Sequence, residues 1–216
     1  MNGNDYEERL GTDMMLPLVF KMALPAVAAQ IANLLYSIVD RIYIGHIPGI
    51  GTDALAGVGV TGSVILLISA FSAIVSGGGA PLAAIALGQG DRNRAEKILG
   101  NGFVLLIIFT LITSILAYAF MEPVLLFTGA SENTIPYATG YLSIYLTGTI
   151  FVQISTGLNT FINIQGRPGI AMMSTVIGAA LNIILDPVFI FAFGMGVKGA
   201  AIATVISQAC SAAWVL

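Results

Sequence analysis

The 216-residue chain reads as an all-α integral membrane protein, a six-transmembrane-helix bundle over residues 16–216 behind a polar segment at 1–15. Three observations lead there. Hydrophobic residues make up 57% of the chain and charged residues only 9%, a balance that soluble domains do not show. The apolar residues fall in blocks long enough to cross about 30 Å of hydrocarbon, which takes about 20 helical residues. Those blocks are separated by glycines, prolines and clusters of charge.

Taken in order, the blocks predict helices near residues 17–47, 54–87, 98–120, 137–163, 169–193 and 197–216. The first two exceed one bilayer crossing, so they tilt, bend or extend into water. Pro25 is a natural bend in the first. Between the second and third blocks "GQGDRNRAEK" reads as a turn, with Asn93 and Glu96 spaced like a capping box and its basic residues facing lipid headgroups. "SGGGAP", Ser76 to Pro81, lacks the Lys-Ser/Thr of a phosphate-cradling loop and reads as close helix packing or a local break.

Basic residues favour cytoplasmic loops. Arg9 and Lys21 flank the first helix, Arg92, Arg94 and Lys97 crowd the turn after the second, and Arg167 follows the fourth. The alternate loops carry Asp53, Glu122 and Glu132, with only Arg41 and Lys198 as cations on that side. Both ends of the chain are therefore expected in the cytoplasm, in a multi-pass protein of the plasma membrane. The N-terminal "MNGNDYEERLGTDMM" has no basic n-region and does not read as a cleaved signal peptide.

Composition also excludes several function classes. With one cysteine, Cys210, and one histidine, His46, neither a disulfide framework nor a thiol or imidazole metal site has enough members. A net charge of -3 spread over loops gives no footprint for nucleic acid and no acidic tail. No cofactor-binding fingerprint is present, since "GQG" is only Gly-x-Gly.

Against this background, "NLLYSIVDRIYIGHI" sets Asp40 and Arg41 inside an apolar run. Counting from Ile47 as the outer end of the helix, Asp40 lies seven residues in, roughly 10 Å at about 1.5 Å rise per residue. The fifth helix repeats the arrangement in "LNIILDPVFIFAF", where Asp186 lies seven residues before Phe193 and Asn182 is one turn deeper on the same face. The sixth helix runs the other way, so Thr204, seven residues after Val197, reaches a similar depth. Carboxylates in hydrocarbon are costly, face bundle interiors or wet cavities, and commonly mark ion or proton routes. The structural alternative for Asp40 is an ion pair with Arg41. Asp186 has no basic neighbour before Lys198, and Pro187 behind it frees a carbonyl one turn back.

Two carboxylates, a carboxamide and a hydroxyl make an oxygen-rich set suited to a hard cation such as Na+. Two carboxylates in one dry site cannot both stay ionised cheaply, so one of them is equally suited to carry a proton. The residues alone leave Na+ and H+ open.

"LPAVAAQIANLLYSIVDRIYIGHI" followed by "GTDALAGVGV", "GQGDRNRAEKILG", "NTFINIQGRPGIAMMSTVIGAALNIILDPVFIF" and "GVKGAAIATV" resembles the multidrug and toxic compound extrusion (MATE) family, most closely its bacterial and archaeal branch. The resemblance covers nearly the whole chain. It implies secondary active efflux, an antiport of Na+ or H+ against small organic, cationic compounds, with the chain as the N-terminal six-helix lobe of a two-lobe, 12-helix transporter in the lipid bilayer. Asp40, Asn182, Asp186 and Thr204 match the family's cation or proton-coupling pocket, which is also the Na+ site if Na+ is the ion. Asn33, Tyr36 and Asn159 match positions in its substrate cleft, and Pro25 matches a proline where the first helix bends. The family carries a second lobe of similar size, so a chain stopping at the apolar "SAAWVL" is expected to be a fragment lacking its C-terminal partner lobe, or to pair with a second copy.

Two other functions compete. A lipid-linked-sugar flippase would favour basic residues in the central cavity, where carboxylates and amides are expected instead. An intramembrane aspartyl hydrolase would use Asp40 and Asp186 as acid and base, but neither sits in a Gly-x-Gly-Asp type surround. A transporter, not an enzyme, is expected. Tyr137, Tyr141 and Tyr145 recur every four residues on the fourth helix, Tyr137 as a headgroup anchor and the others facing neighbouring helices or the cleft. His46 reads as a solvated boundary residue, and Met172 and Met173 as packing or cleft lining.

Overall fold

The computed structural model describes residues 15–216, apart from a few side chains in the first helical turns. The expected segment 1–15, with Arg9, falls outside that range save Met15, and the Lys21 side chain is likewise outside it. The described residues are helical almost throughout. In order they form α1 (Met15–Gly45), α2 (Gly51–Gly88), α3 (Arg92–Ala119), α4 (Met121–Phe127), α5 (Ile135–Ile164), α6 (Pro168–Pro187), which runs into a π-helical turn (Val188–Ala192), and α7 (Val197–Val215).

The six long helices coincide with the six apolar blocks. Four of them are long and apolar enough to cross a membrane by length and composition: α1, α2, α3, and α6 with its π turn. The other two, α5 and α7, are less apolar for a reason visible in the packing. α5 is the centre of the bundle, packed on α2, α3 and α7, and both helices bury polar side chains such as Gln153, Ser155, Thr204 and Ser207. The outer helices face the other way. α1 leaves Leu24, Val27, Ile31, Leu34, Leu35 and Ile38 exposed, which suits a hydrocarbon solvent and would be untenable in water.

The local expectations fare differently. The Arg92–Lys97 stretch is not a turn: Asp91 caps the helix by accepting from the Arg94 N–H at 3.0 Å, so α3 begins at Arg92 and the Asn93–Glu96 capping box does not form. Hydropathy could not see these first turns because their polar residues are exposed beyond the apolar block. "SGGGAP" does not break α2, whose 38 residues, roughly 57 Å at about 1.5 Å each, run straight through it and through Pro81. Of its glycines only Gly79 makes a close approach, where a Cβ would lie 2.9 Å from the Phe161 ring. The six blocks also hid α4, a seven-residue helix too short to register as a block.

At the end of α6, Pro187 has no N–H to give the carbonyl of Ile183. The chain then widens into the π turn, where Phe193 N–H bonds Val188 at 2.9 Å and Met195 N–H bonds Phe189 at 3.1 Å. Gly199 on α7 lets that turn pack directly on it, since a Cβ there would lie 2.6 Å from the carbonyl carbon and oxygen of Phe189. This contact holds α6 against α7 near the level at which Asn182 meets Thr204.

Candidate functional site

Asp40, Asn182, Asp186 and Thr204 come together from α1, α6 and α7, and all four side chains are buried. Asn182 stands one turn before Asp186, and its Nδ2 donates to Asp186 Oδ1 at 3.2 Å and to Thr204 Oγ1 at 3.3 Å. The Asp40 and Asp186 carboxyls are close enough to interact across the α1–α6 contact. Arg41 is exposed: it exerts some attraction on Asp40 from the bundle surface but does not join the buried set.

Oxygens predominate in this cluster, and several are free. Asp40 Oδ1, Asp186 Oδ2 and Asn182 Oδ1 are buried without a hydrogen-bond partner. Buried polar atoms are normally satisfied. A set of orphaned oxygens converging from three helices therefore fits a hard cation or a proton, which would supply the positive charge the protein withholds. Among the described residues no group of three His, Cys, Asp or Glu side chains could hold a metal ion.

The remaining sequence candidates distribute unevenly. Tyr36, one turn before Asp40, lies within electrostatic reach of both carboxylates. Asn33 is exposed on α1, seven residues before Asp40. Asn159 is held elsewhere, its Nδ2 donating to Ser174 Oγ at 2.8 Å. α1 stays helical through Pro25. His46 is exposed, with Nδ1 2.7 Å from the Ile42 carbonyl.

One neighbour, expected from sequence only to face adjoining helices or the cleft, takes a definite place. Tyr141 is buried on α5, adjoins Thr204 and Asp40, and stacks on Tyr145 with ring centroids 6.0 Å apart. The four-residue tyrosine spacing was the visible signal, but only the packing of α5 against α7 brings that face to the carboxylates. Beyond the cluster, at the end bearing Lys198, a crevice of about 560 Å³ opens between Ile47, Tyr137, Ile190, Val197 and Lys198. None of the four cluster residues lines it. Ile44 and Ile190, each one turn beyond an aspartate, are buried, and Ile190 also lines the crevice.

An apolar helical bundle with a buried carboxylate pair inside it is the architecture of a polytopic membrane protein. The comparisons make the class specific. Residues 25–188 match the MatE family model. The chain is 26% identical over 187 residues to multidrug export protein MepA of Staphylococcus haemolyticus, covering 87% of this chain and 41% of that protein. It is 28% identical over 194 residues to the FAD transporter of Shewanella oneidensis, covering 88% and 42%. A crystal structure of MATE in the bent conformation superposes with a TM-score of 0.84 at 26% identity, over 92% of this chain and 44% of that one. The chain belongs to the MATE family, whose members are transporters rather than enzymes. It spans less than half the length of the relatives it matches.

Proposed function

We propose that this chain is the N-terminal lobe of a cation-coupled exporter of the plasma membrane, in which Asp40, Asn182, Asp186 and Thr204 bind the coupling ion, Na+ or H+. The observation that carries the reading is the convergence of two buried carboxylates, each with one oxygen that lacks a partner, while Asn182 bridges Asp186 to Thr204. Exchange follows from charge. An aspartate pair left without a cation is repelled and costly in a dry bundle, and a bound cation relieves it, so filling and emptying shift the balance between two conformations. Pro25 is the point at which α1 would bend between them, and a second lobe of similar size would supply the opposing wall of the cleft.

For cargo, the carboxylates and Tyr36 favour small organic cations, with Asn33 and Asn159 as polar contacts along the cleft. One relative is an FAD transporter, and FAD is an anionic dinucleotide. A dinucleotide would call for basic side chains beside the cluster, and Arg41, next in sequence to Asp40, is exposed at the bundle surface instead. The basic residues of the first turns of α3, Arg92 to Lys97, together with Arg167 before α6, favour a cytoplasmic side for that end of the bundle and so for both chain ends.

The test uses the purified chain in detergent. A ligand bound only by the folded state stabilises it by RT ln(1 + [L]/Kd), about 2.7 kcal/mol at 100 times Kd. Na+ in place of choline at constant ionic strength should raise the melting temperature, and Asp40→Asn should remove the gain. With H+ as the ion, Na+ has no effect and binding of an organic cation follows pH instead, again lost in Asp40→Asn. An Asp40→Asn chain that keeps the parent's ion response rules the cluster out.

A further inference from the structure

The crevice of about 560 Å³ sits at the level where the apolar spans stop. The spans of α1 and of α6 with its π turn end at Gly45 and Ala192. Ile47 lies just past the first of these ends, Met195 and Lys198 just past the second, and all three line the crevice with Tyr137 and Gly140 from the first turns of α5. In a membrane this is the depth at which hydrocarbon gives way to headgroups, where amphipathic tyrosines and lysines gather. The volume is that of a ligand pocket, commonly about 300–1,000 Å³.

The walls are apolar apart from two donors. Ile190, Phe191 and Met195 supply hydrocarbon and aromatic surface, Lys198 an ammonium and Tyr137 a phenol, and no carboxylate lines the crevice. Neither the Lys198 nor the Tyr137 side chain makes a hydrogen bond or ion pair with another described residue. Gly140, one turn after Tyr137, lets the lysine stem lie along α5: a Cβ there would be 3.6 Å from Lys198 Cε and 3.8 Å from its Cγ. The two donors thus stand within a turn of each other on the same wall. Deeper along α6 the outer surface is again apolar, with Val188 and Ile184 exposed beyond Phe191.

An occupant must match both parts of this lining. An organic cation would meet an unpaired lysine, and a soluble anion would leave the apolar walls facing water. A molecule with a phosphate at one end and hydrocarbon at the other satisfies both, because the phosphate takes charge-assisted hydrogen bonds and the chain removes apolar surface from water. We propose that this crevice binds an anionic phospholipid of the surrounding leaflet, its phosphate on Lys198 and Tyr137 and its glycerol and first acyl carbons between Ile190, Phe191 and Met195. The acyl chains then run toward the membrane centre over Val188 and Ile184. The site is separate from the carboxylate cluster and does not depend on the ion-coupling function proposed above.

Tryptophan quenching tests this locally, because the chain's one tryptophan, Trp214, is at the far end of α7. In a Trp214→Phe background, Phe193→Trp sets a reporter on an exposed residue beside the crevice that does not line it. The protein is reconstituted in phosphatidylcholine bilayers that contain brominated phosphatidylglycerol or, for comparison, brominated phosphatidylcholine. Quenching should show phosphatidylglycerol favoured about 5-fold, equivalent to about 1 kcal/mol for one basic residue at a membrane surface. Lys198→Gln should abolish the preference and Lys198→Arg should keep it. Equal occupancy by the two lipids, or a preference that survives Lys198→Gln, overturns the proposal. A preference erased by inorganic phosphate at constant ionic strength makes this a site for soluble anions and overturns the lipid assignment. Should the reporter chain fail to fold, melting in detergent decides: phosphatidylglycerol should raise the midpoint of the parent more than that of Lys198→Gln, and equal gains overturn the site.

Discussion

Asn182 Nδ2 lies 3.2 Å from Asp186 Oδ1, one turn along the same helix, and the same amide reaches Thr204 Oγ1 on the neighbouring helix at 3.3 Å. One side chain thus sets the carboxylate's orientation and ties α6 to α7 at that depth. Its second hydrogen-bonding atom, Oδ1, stays unpartnered.

Replacing that amide should therefore cost stability before any ion is added. Asn182→Ala leaves Asp186 Oδ1 and Thr204 Oγ1 each without their donor in a buried setting, a loss of about 1–3 kcal/mol for an orphaned group. Thermal unfolding in Na+-free buffer should show a lower midpoint than the parent. An unchanged midpoint would mean that the bridge contributes nothing to the α6–α7 contact.

The charged and neutral members of the cluster should differ in kind. Asp186→Asn keeps the size of the side chain and removes its charge, so ion-dependent stabilisation should vanish, as for Asp40→Asn. Thr204→Ala removes one neutral oxygen and should weaken ion affinity about 10-fold, equivalent to about 1.4 kcal/mol. Thr204→Ser should restore it. Titrating the melting temperature with Na+ measures all three, and a Thr204→Ala curve flat across the titration would place Thr204 on a par with the carboxylates.

Gly199 should tolerate no side chain. The 2.6 Å approach of a Cβ to the Phe189 carbonyl meets backbone, which cannot rotate out of the way. Gly199→Ala should destabilise by about 1–3 kcal/mol, the usual range for overpacking, and should lower ion affinity too by shifting the π turn. Gly59→Ala, where a Cβ would meet nothing within 4 Å, is the matched control and should melt no lower than the parent, since Ala favours a helix over Gly.

Orientation is open to labelling. Asn93 is exposed in the first turn of α3, beside Arg92 and Arg94. In intact cells carrying a Cys210→Ser background, an impermeant maleimide should not modify Asn93→Cys until the membrane is opened. Modification of sealed cells would invert the assigned topology.

Much of this protein is written along the chain in one dimension. Apolar blocks longer than about 20 residues dictate membrane helices because lipid offers backbone groups no partner, and the long helices follow those blocks to within a few residues except where Asp91 starts α3 early. The depth of Asp40, Asn182, Asp186 and Thr204 was equally legible, since rise per residue converts position to height. What rise cannot give is azimuth. That Asn182 bridges to Thr204, that Tyr141 closes the cluster from α5, and that Asn159 turns to Ser174 all depend on how helices rotate and cross. Those angles are decided by contacts between residues far apart in sequence, such as Gly199 against Phe189.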